Sequence, residues 1–190
     1  MIEAFSGIFT AFGLSASAGL NAYLPLLIVA LLARFTNLIT LNPPYDHLTS
    51  GWVILVVSIL LLIELFADRI AGLDTANDIV QTFIRPAAGA ILFAASASVI
   101  SDIHPVLALI CGLIVAGGVH ATKATVRPVV TGTSGGLLNP VVSTAEDAAS
   151  LTLTLVSVLV PLLAGLLLGA GLVVVVWWLV ARRRRRRVAS

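Results

Sequence analysis

Five apolar stretches separated by short polar links dominate the sequence: Ile8–Ala33, Trp52–Ala67, Ala87–Ser101, Val106–Ala121 and Ala148–Ala181. A helix needs about 20 apolar residues to cross the hydrocarbon core of a bilayer, roughly 30 Å thick. Stretches of this kind predict an all-α, polytopic membrane bundle. Composition points the same way. Hydrophobic residues make up 59% of the 190 residues and charged residues 11%, against roughly 45–50% and about 25% in a soluble domain. So few charges do not cover a water-facing surface. This excludes a soluble enzyme, a nucleic-acid-binding domain, a disulfide scaffold and a disordered chain as whole-chain readings. The single cysteine, Cys111, offers neither a disulfide nor a multi-cysteine metal site within one chain.

Breakers divide the stretches. The first contains Gly13, Gly19, Asn21 and Pro25, and the polar loop after it, Asn37–Ser50, holds Pro43-Pro44. The N-terminus carries Glu3 and no basic n-region, so the first stretch reads as a retained span. Residues 74–85 have amphipathic spacing and open on Asp74-Thr75, which predicts a capped amphipathic helix ahead of Pro86. Thr131–Gly136 reads as a loop of small residues. Ser143 and Glu146 match a capping box, so the next helix is expected to start at Ser143. Ala148–Ala181 is 34 residues, about 51 Å as one helix. Two shorter helices turning near Pro161–Gly165 fit the bilayer better.

Six of the eleven basic residues form the run Arg182–Arg187, and positive residues collect on the cytoplasmic side of membrane proteins. Six spans with both termini cytoplasmic place Arg69, Arg85, Lys123, Arg127 and the arginine run inside, and Arg34 outside. Five spans with the tail inside put Arg69, Arg85, Lys123 and Arg127 outside. The expectation is therefore six spans in the inner (plasma) membrane, one transmembrane domain over 1–181 with a polybasic cytoplasmic tail at 182–190. Loops Thr36–Gly51 and Ser101–Pro105 then lie outside. Gly13-Leu14-x4-Gly19-Leu20-Asn21-Ala22 recurs as Gly112-Leu113-x4-Gly118-Val119-His120-Ala121. In the six-span arrangement the copies sit in oppositely directed spans, as a 3+3 inverted-topology repeat requires, with half-repeats at about 7–101 and 104–181. Such repeats are common in transporters. The abundance of Gly, Leu and Ala in membrane helices produces the same likeness by chance.

Three segments together carry a family resemblance: Gly13 to Leu27 (Gly-Leu-Ser-Ala-Ser-Ala-Gly-Leu-Asn-Ala-Tyr-Leu-Pro-Leu-Leu), Ile63-Glu64 to Asp74, and Thr131 to Glu146 with its Gly135-Gly136-Leu137-Leu138-Asn139-Pro140. In order and spacing, over nearly the whole chain, they resemble the bacterial membrane proteins grouped as domain-of-unknown-function 4126. The resemblance implies a small multi-span protein. It brings no reaction, cofactor or catalytic residue with it.

Ionisable side chains inside spans face the bundle interior or a water-filled path. Glu64 and Asp68 share one face of the second span, and His120, Lys123 and Arg127 form a stripe on the fourth. With Glu146 and Asp147 they converge on the cytoplasmic third of the six-span bundle. There they pair with one another, line an entry vestibule, or reach out to the headgroup layer. Asn21, mid-span between Gly19 and Pro25, marks a break in the first helix or a hydrogen bond to a neighbouring one. Thr131, Gly132, Thr133, Ser134, Gly135 and Gly136 precede a helix start near Lys123 and Arg127. This is either a plain flexible loop or a place where free amides attract anions, although the Gly-Lys-Ser/Thr ending of a P-loop is missing.

No HExxH or GxSxG occurs, and no nucleophile–base pair stands out. No catalytic residue, metal or cofactor is therefore expected. The leading expectation is a transporter or channel for an ion or small anionic solute. The alternative is a non-transporting membrane scaffold that holds partners or lipids. Expected partners are membrane lipids, with anionic lipid at Arg182–Arg187 at about 1 kcal/mol per basic residue. A homo-oligomer is open and nucleic acid is not expected.

Overall fold

The computed structural model describes residues 2–68, 73–97 and 103–188, and among these every regular element is helical. The helices are α1 (Ile2–Leu20), α2 (Tyr23–Phe35), α3 (Gly51–Ala67), α4 (Leu73–Ala97), α5 (Pro105–Ser134), α6 (Asn139–Leu159) and α7 (Pro161–Val188), with a 3-10 turn at Tyr45–Thr49. Within them Asn77–Ser96, Pro105–Ser134 and Asn139–Leu159 are long and apolar enough to cross a membrane, while α1, α2 and α3 carry shorter apolar helices. Arg69, and Ser101 and Asp102 of the expected external turn, lie outside the described residues.

The first apolar stretch is two helices, not one span. Asn21 Oδ1 accepts from the backbone N–H groups of Tyr23 and Leu24 at 3.1 and 2.9 Å. It thereby satisfies amides that a helix start leaves without partners. The chain then turns back on itself. Leu38–Thr40, just past the end of α2, line a cavity together with Ser6 and Thr10 of α1. The end of α2 and the start of α1 therefore share one end of the bundle. A straight helix through Asn21 would separate them by far more than three loop residues reach. This corrects two expectations: the continuous first span, and the N-terminus opposite the Thr36–Gly51 loop.

Side-chain contacts give the remaining directions. Phe12 meets Phe93 edge-on with ring centroids 5.0 Å apart, and the Ser15 hydroxyl donates to the Gly89 carbonyl at 2.7 Å, so α1 and α4 are antiparallel. Glu64 with Arg85 and Asp68 with Asn77 make α3 antiparallel to α4. Arg85 with His120 and Asp78 with Arg127 do the same for α4 and α5. Hence α1 and α5 run parallel, and the Leu20 carbonyl accordingly accepts from Lys123 Nζ at 3.3 Å. The two Gly-Leu motifs lie in these parallel helices, so inversion does not relate them and the expected inverted repeat is corrected. Their glycines also serve different ends. A Cβ on Gly19 would fall 2.6 Å from the Ala116 carbonyl oxygen and from Val119, whereas at Gly118 nothing lies within 4 Å.

Three boundaries differ from the expected ones. Helix α4 continues through Pro86, so residues 74–85 are the first half of a 25-residue helix. Helix α5 continues through Pro128 to Ser134, and the chain leaves it at Gly135 (φ 61°) and Gly136 (φ 85°), in the left-handed region that favours glycine. Helix α6 starts at Asn139, with Ser143 one turn inside it. The long final stretch does divide, at Val160, next to the expected Pro161. Val158 and Pro161 line the Ser6–Thr10 cavity, so α7 begins at the same end as α1.

Candidate functional site

The break after α1 lies beside a buried ionic network. Arg85, fully shielded from solvent, pairs with Glu64 Oε1 at 3.0 Å, and Glu64 is itself only 2% exposed. Lys123 Nζ pairs with Glu146 Oε2 at 2.7 Å and also reaches the Leu20 carbonyl, which the break has released from helical bonding. Arg127 gathers three carboxylates, Asp78 at 2.7 Å, Asp68 at 3.2 Å and Glu146 at 3.4 Å. Asp68 accepts in addition from Ser143 Oγ and Asn77 Nδ2 at 3.1 and 2.8 Å. Asn21 completes the circle, donating through Nδ2 to Asp147 at 2.9 Å while its oxygen caps α2.

His120 joins the network through hydrogen bonds that identify its form. Arg85 Nη1 lies 3.1 Å from Nδ1, and guanidinium only donates, so Nδ1 is the acceptor. The Thr82 hydroxyl donates to the Asp78 carbonyl at 2.8 Å, leaving its oxygen to accept from Nε2–H at 3.0 Å. The arrangement describes a neutral imidazole. Near it a cavity of ≈ 560 Å³ opens between α4 and α5, with Asp78, Thr82, His120 and Arg127 among its polar lining and Ile79 and Pro128 among its apolar lining.

The charged side chains turn away from an apolar outer surface. On the helices that carry the charges, Ile79, Val80 and Phe83 of α4 and Val126 and Val129 of α5 point outward and are exposed, while Asp78, Arg85, His120 and Arg127 point inward. Within the amphipathic stripe, Asp78, Gln81 and Arg85 thus turn toward the bundle. Buried ions keep their charge only when paired and hydrogen-bonded, and nearly every network group has such a partner. Exceptions remain: Glu64 Oε2, Asp78 Oδ1, Gln81 Oε1 and the Nε atoms of Arg85 and Arg127 are buried without a hydrogen-bond partner. Formal charge is also unbalanced. Glu64, Asp68, Asp78, Glu146 and Asp147 face Arg85, Lys123 and Arg127, five against three among the described residues. Asp68, just past the end of α3, feels burial pushing its pKa up. The Asn77 hydrogen bond and the charges of Lys123, Arg127 and Arg85 prevail and hold it below the ordinary carboxylate value.

Eight residues singled out in the sequence meet here: Asn21, Glu64, Asp68, His120, Lys123, Arg127, Glu146 and Asp147. The Thr131–Gly136 segment, read in the sequence as a loop, is mostly helix. Its residues through Ser134 are helical, and the Gly135 and Gly136 amides both bond the Thr131 carbonyl. Ser143 is correspondingly no cap, since its hydroxyl donates to Asp68. Sequence reading missed Asp78, Gln81 and Arg85 as members of the site. Their spacing of three and four continues across Pro86 into the buried Ala88 and Leu92, and that continuity was the signal available.

A family model described as "Domain of unknown function (DUF4126)" matches residues 8–182, and the chain belongs to that family. No curated protein and no solved structure matches it.

Proposed function

We propose that this member of the DUF4126 family is a small ion transporter or channel of the cytoplasmic membrane whose path runs through the buried network. The observation that carries this reading is the excess of carboxylates over cations, among the described residues, gathered in buried and partly buried positions around a broken helix. Broken backbone at membrane depth persists where it is buried in protein or lines a water-filled path, and helix breaks of this kind form ion sites in transporters. The ≈ 560 Å³ cavity reaches the network from one side. A cavity of ≈ 480 Å³ lies at the Ser6–Thr10 end. Five carboxylates against three cations among the described residues favour a cation or proton over an anionic solute. The proposed activity is movement of an ion, with no chemical transformation.

The reading carries a topology of its own. Helices α1 and α2 form a re-entrant pair that enters and leaves at one face, and α3 to α7 make five crossings. The positive-inside rule then puts the end with Lys123 and Arg127, and the Arg182–Arg187 tail, in the cytoplasm, with Arg34 and the N-terminus outside. Past Gly169, α7 exposes Val173, Val174 and Trp177, which we assign to lipid contact, with the arginine run on anionic headgroups. A scaffold role would rest on that tail. Flux of Na+, K+ and protons into liposomes holding the purified protein separates the two readings. Glu64→Gln and Lys123→Gln should abolish flux while truncation after Ala181 leaves it intact. Flux absent from the wild type, or indifferent to both network substitutions, overturns the transport reading.

A further inference from the structure

We infer that the transported ion is the proton, and that between the network and the Ser6–Thr10 cavity it moves along a seam of hydroxyls joining α1 to α6. The inference rests on the transport reading above and adds the ion's identity and the second half of its route. Ser17 of α1 and Ser150 and Thr154 of α6 are fully buried. Ser17 Oγ lies 2.8 Å from the Ser150 carbonyl, 2.9 Å from Ser150 Oγ and 2.6 Å from Thr154 Oγ1. Ser150 Oγ also reaches the Ser17 carbonyl at 3.1 Å, and Thr154 Oγ1 the Ser150 carbonyl at 2.8 Å. Each hydroxyl hydrogen therefore has at least two acceptors to choose between. A group that both donates and accepts, with alternatives on each side, passes a proton on by reorienting.

The seam has polar groups at both of its ends. One turn beyond Ser17, Asn21 donates to Asp147, itself one turn before Ser150 on α6. Asp147 is the network carboxylate with no ion pair among the described residues. In the other direction, one turn past Thr154 and two turns back from Ser17, Thr10 donates to the Ser157 carbonyl at 2.9 Å, and Thr10 lines the ≈ 480 Å³ cavity with Ser6 and Ser96. Between these ends the helices are in close contact. A Cβ on Gly13 would collide with the Ser157 hydroxyl. A hydrated metal cation has no room in such a contact, whereas a proton needs only oxygen atoms within hydrogen-bond reach. On the network side, the unpartnered Glu64 Oε2 is a buried acceptor able to hold the arriving proton.

The test is proton entry into liposomes containing the full-length protein, read by a trapped pH-sensitive dye under a K+ diffusion potential. Thr154→Val keeps the side-chain shape and removes the hydroxyl, and should slow flux by about tenfold, a barrier increase of roughly 1.4 kcal/mol. Thr154→Ser, which keeps the hydroxyl, should retain the wild-type rate even where it lowers the melting temperature. A seam that serves only as helix-packing glue gives the opposite pattern: melting temperature changes and flux does not. Unchanged flux in Thr154→Val overturns the route. Should that variant fail to fold, Ser17→Ala carries the same test. Na+ or K+ flux that requires Glu64, without proton flux, overturns the proton and leaves the transport reading standing. Absence of any network-dependent flux removes the transport reading itself.

Discussion

Arg85 shows at the scale of one residue why the network cannot be trimmed singly. It is shielded from water, pairs with Glu64, and donates to His120. Arg85→Met leaves Glu64 uncompensated in the interior and should cost about 3–5 kcal/mol, whereas adding Glu64→Gln should restore part of that loss. Thermal unfolding in detergent checks both, and equal destabilisation by the single and double variants would contradict the pairing. Asp68 makes a pH prediction. Its folded pKa is depressed, so its contribution is complete above the unfolded value of about 3.9 and is lost as pH falls through the lower folded value. Asp68→Asn should therefore flatten the acid side of the stability profile and lower stability at neutral pH. Glu64, Asp68, Lys123 and Arg127 were legible in the sequence because charges inside apolar runs stand out. Asp78 and Arg85 were not, because an amphipathic stripe has the same spacing whether its polar side meets water or a buried partner.

Helix α2 owes its start to Asn21, and the chain reverses there. Removing the side chain takes away both cap bonds and the partner of Asp147. Asn21→Ala should cost about 1–2 kcal/mol, and Asn21→Asp should keep the caps while placing a carboxylate against Asp147. Stability loss in both variants is the expected outcome in unfolding measurements, relieved at low pH only for Asn21→Asp, where protonation removes the repulsion, with transport lost in both. The glycines give a paired test of helix contact. Gly19→Ala should destabilise, since its Cβ meets the Ala116 carbonyl, while Gly118→Ala should not. Equal effects would revive a repeat relationship between the two motifs. The break at Asn21 and the division before Pro161 were both visible as polar or proline interruptions in apolar runs. The continuity of α4 across Pro86 was not, because a proline that ends a helix in water is tolerated in a membrane helix whose neighbours satisfy the freed carbonyl.

Across the whole molecule, the structure departs from the expected path most plainly at Ile8–Ala33, which is two helices that turn back and not one straight segment. Hydropathy registers that a segment is apolar and not whether it returns, and a re-entrant pair of about 15 and 13 residues has the same signature as one interrupted span. Turning the first pair back on itself exchanges the end at which the N-terminus lies yet keeps Lys123 and Arg127 at the end toward which α7 runs, so the charge asymmetry does not depend on the direction of the first pair. The central claim is that two cavities, one at Thr10 and one at Thr82, open to opposite faces of the membrane with the ionic network between them. Single cysteines introduced as Thr10→Cys and Thr82→Cys in a Cys111→Ser background, labelled with an impermeant thiol reagent from each side of oriented vesicles, test it directly. Position 10 should label only from the outside and position 82 only from the cytoplasmic side. Labelling of both positions from the same side would contradict the account.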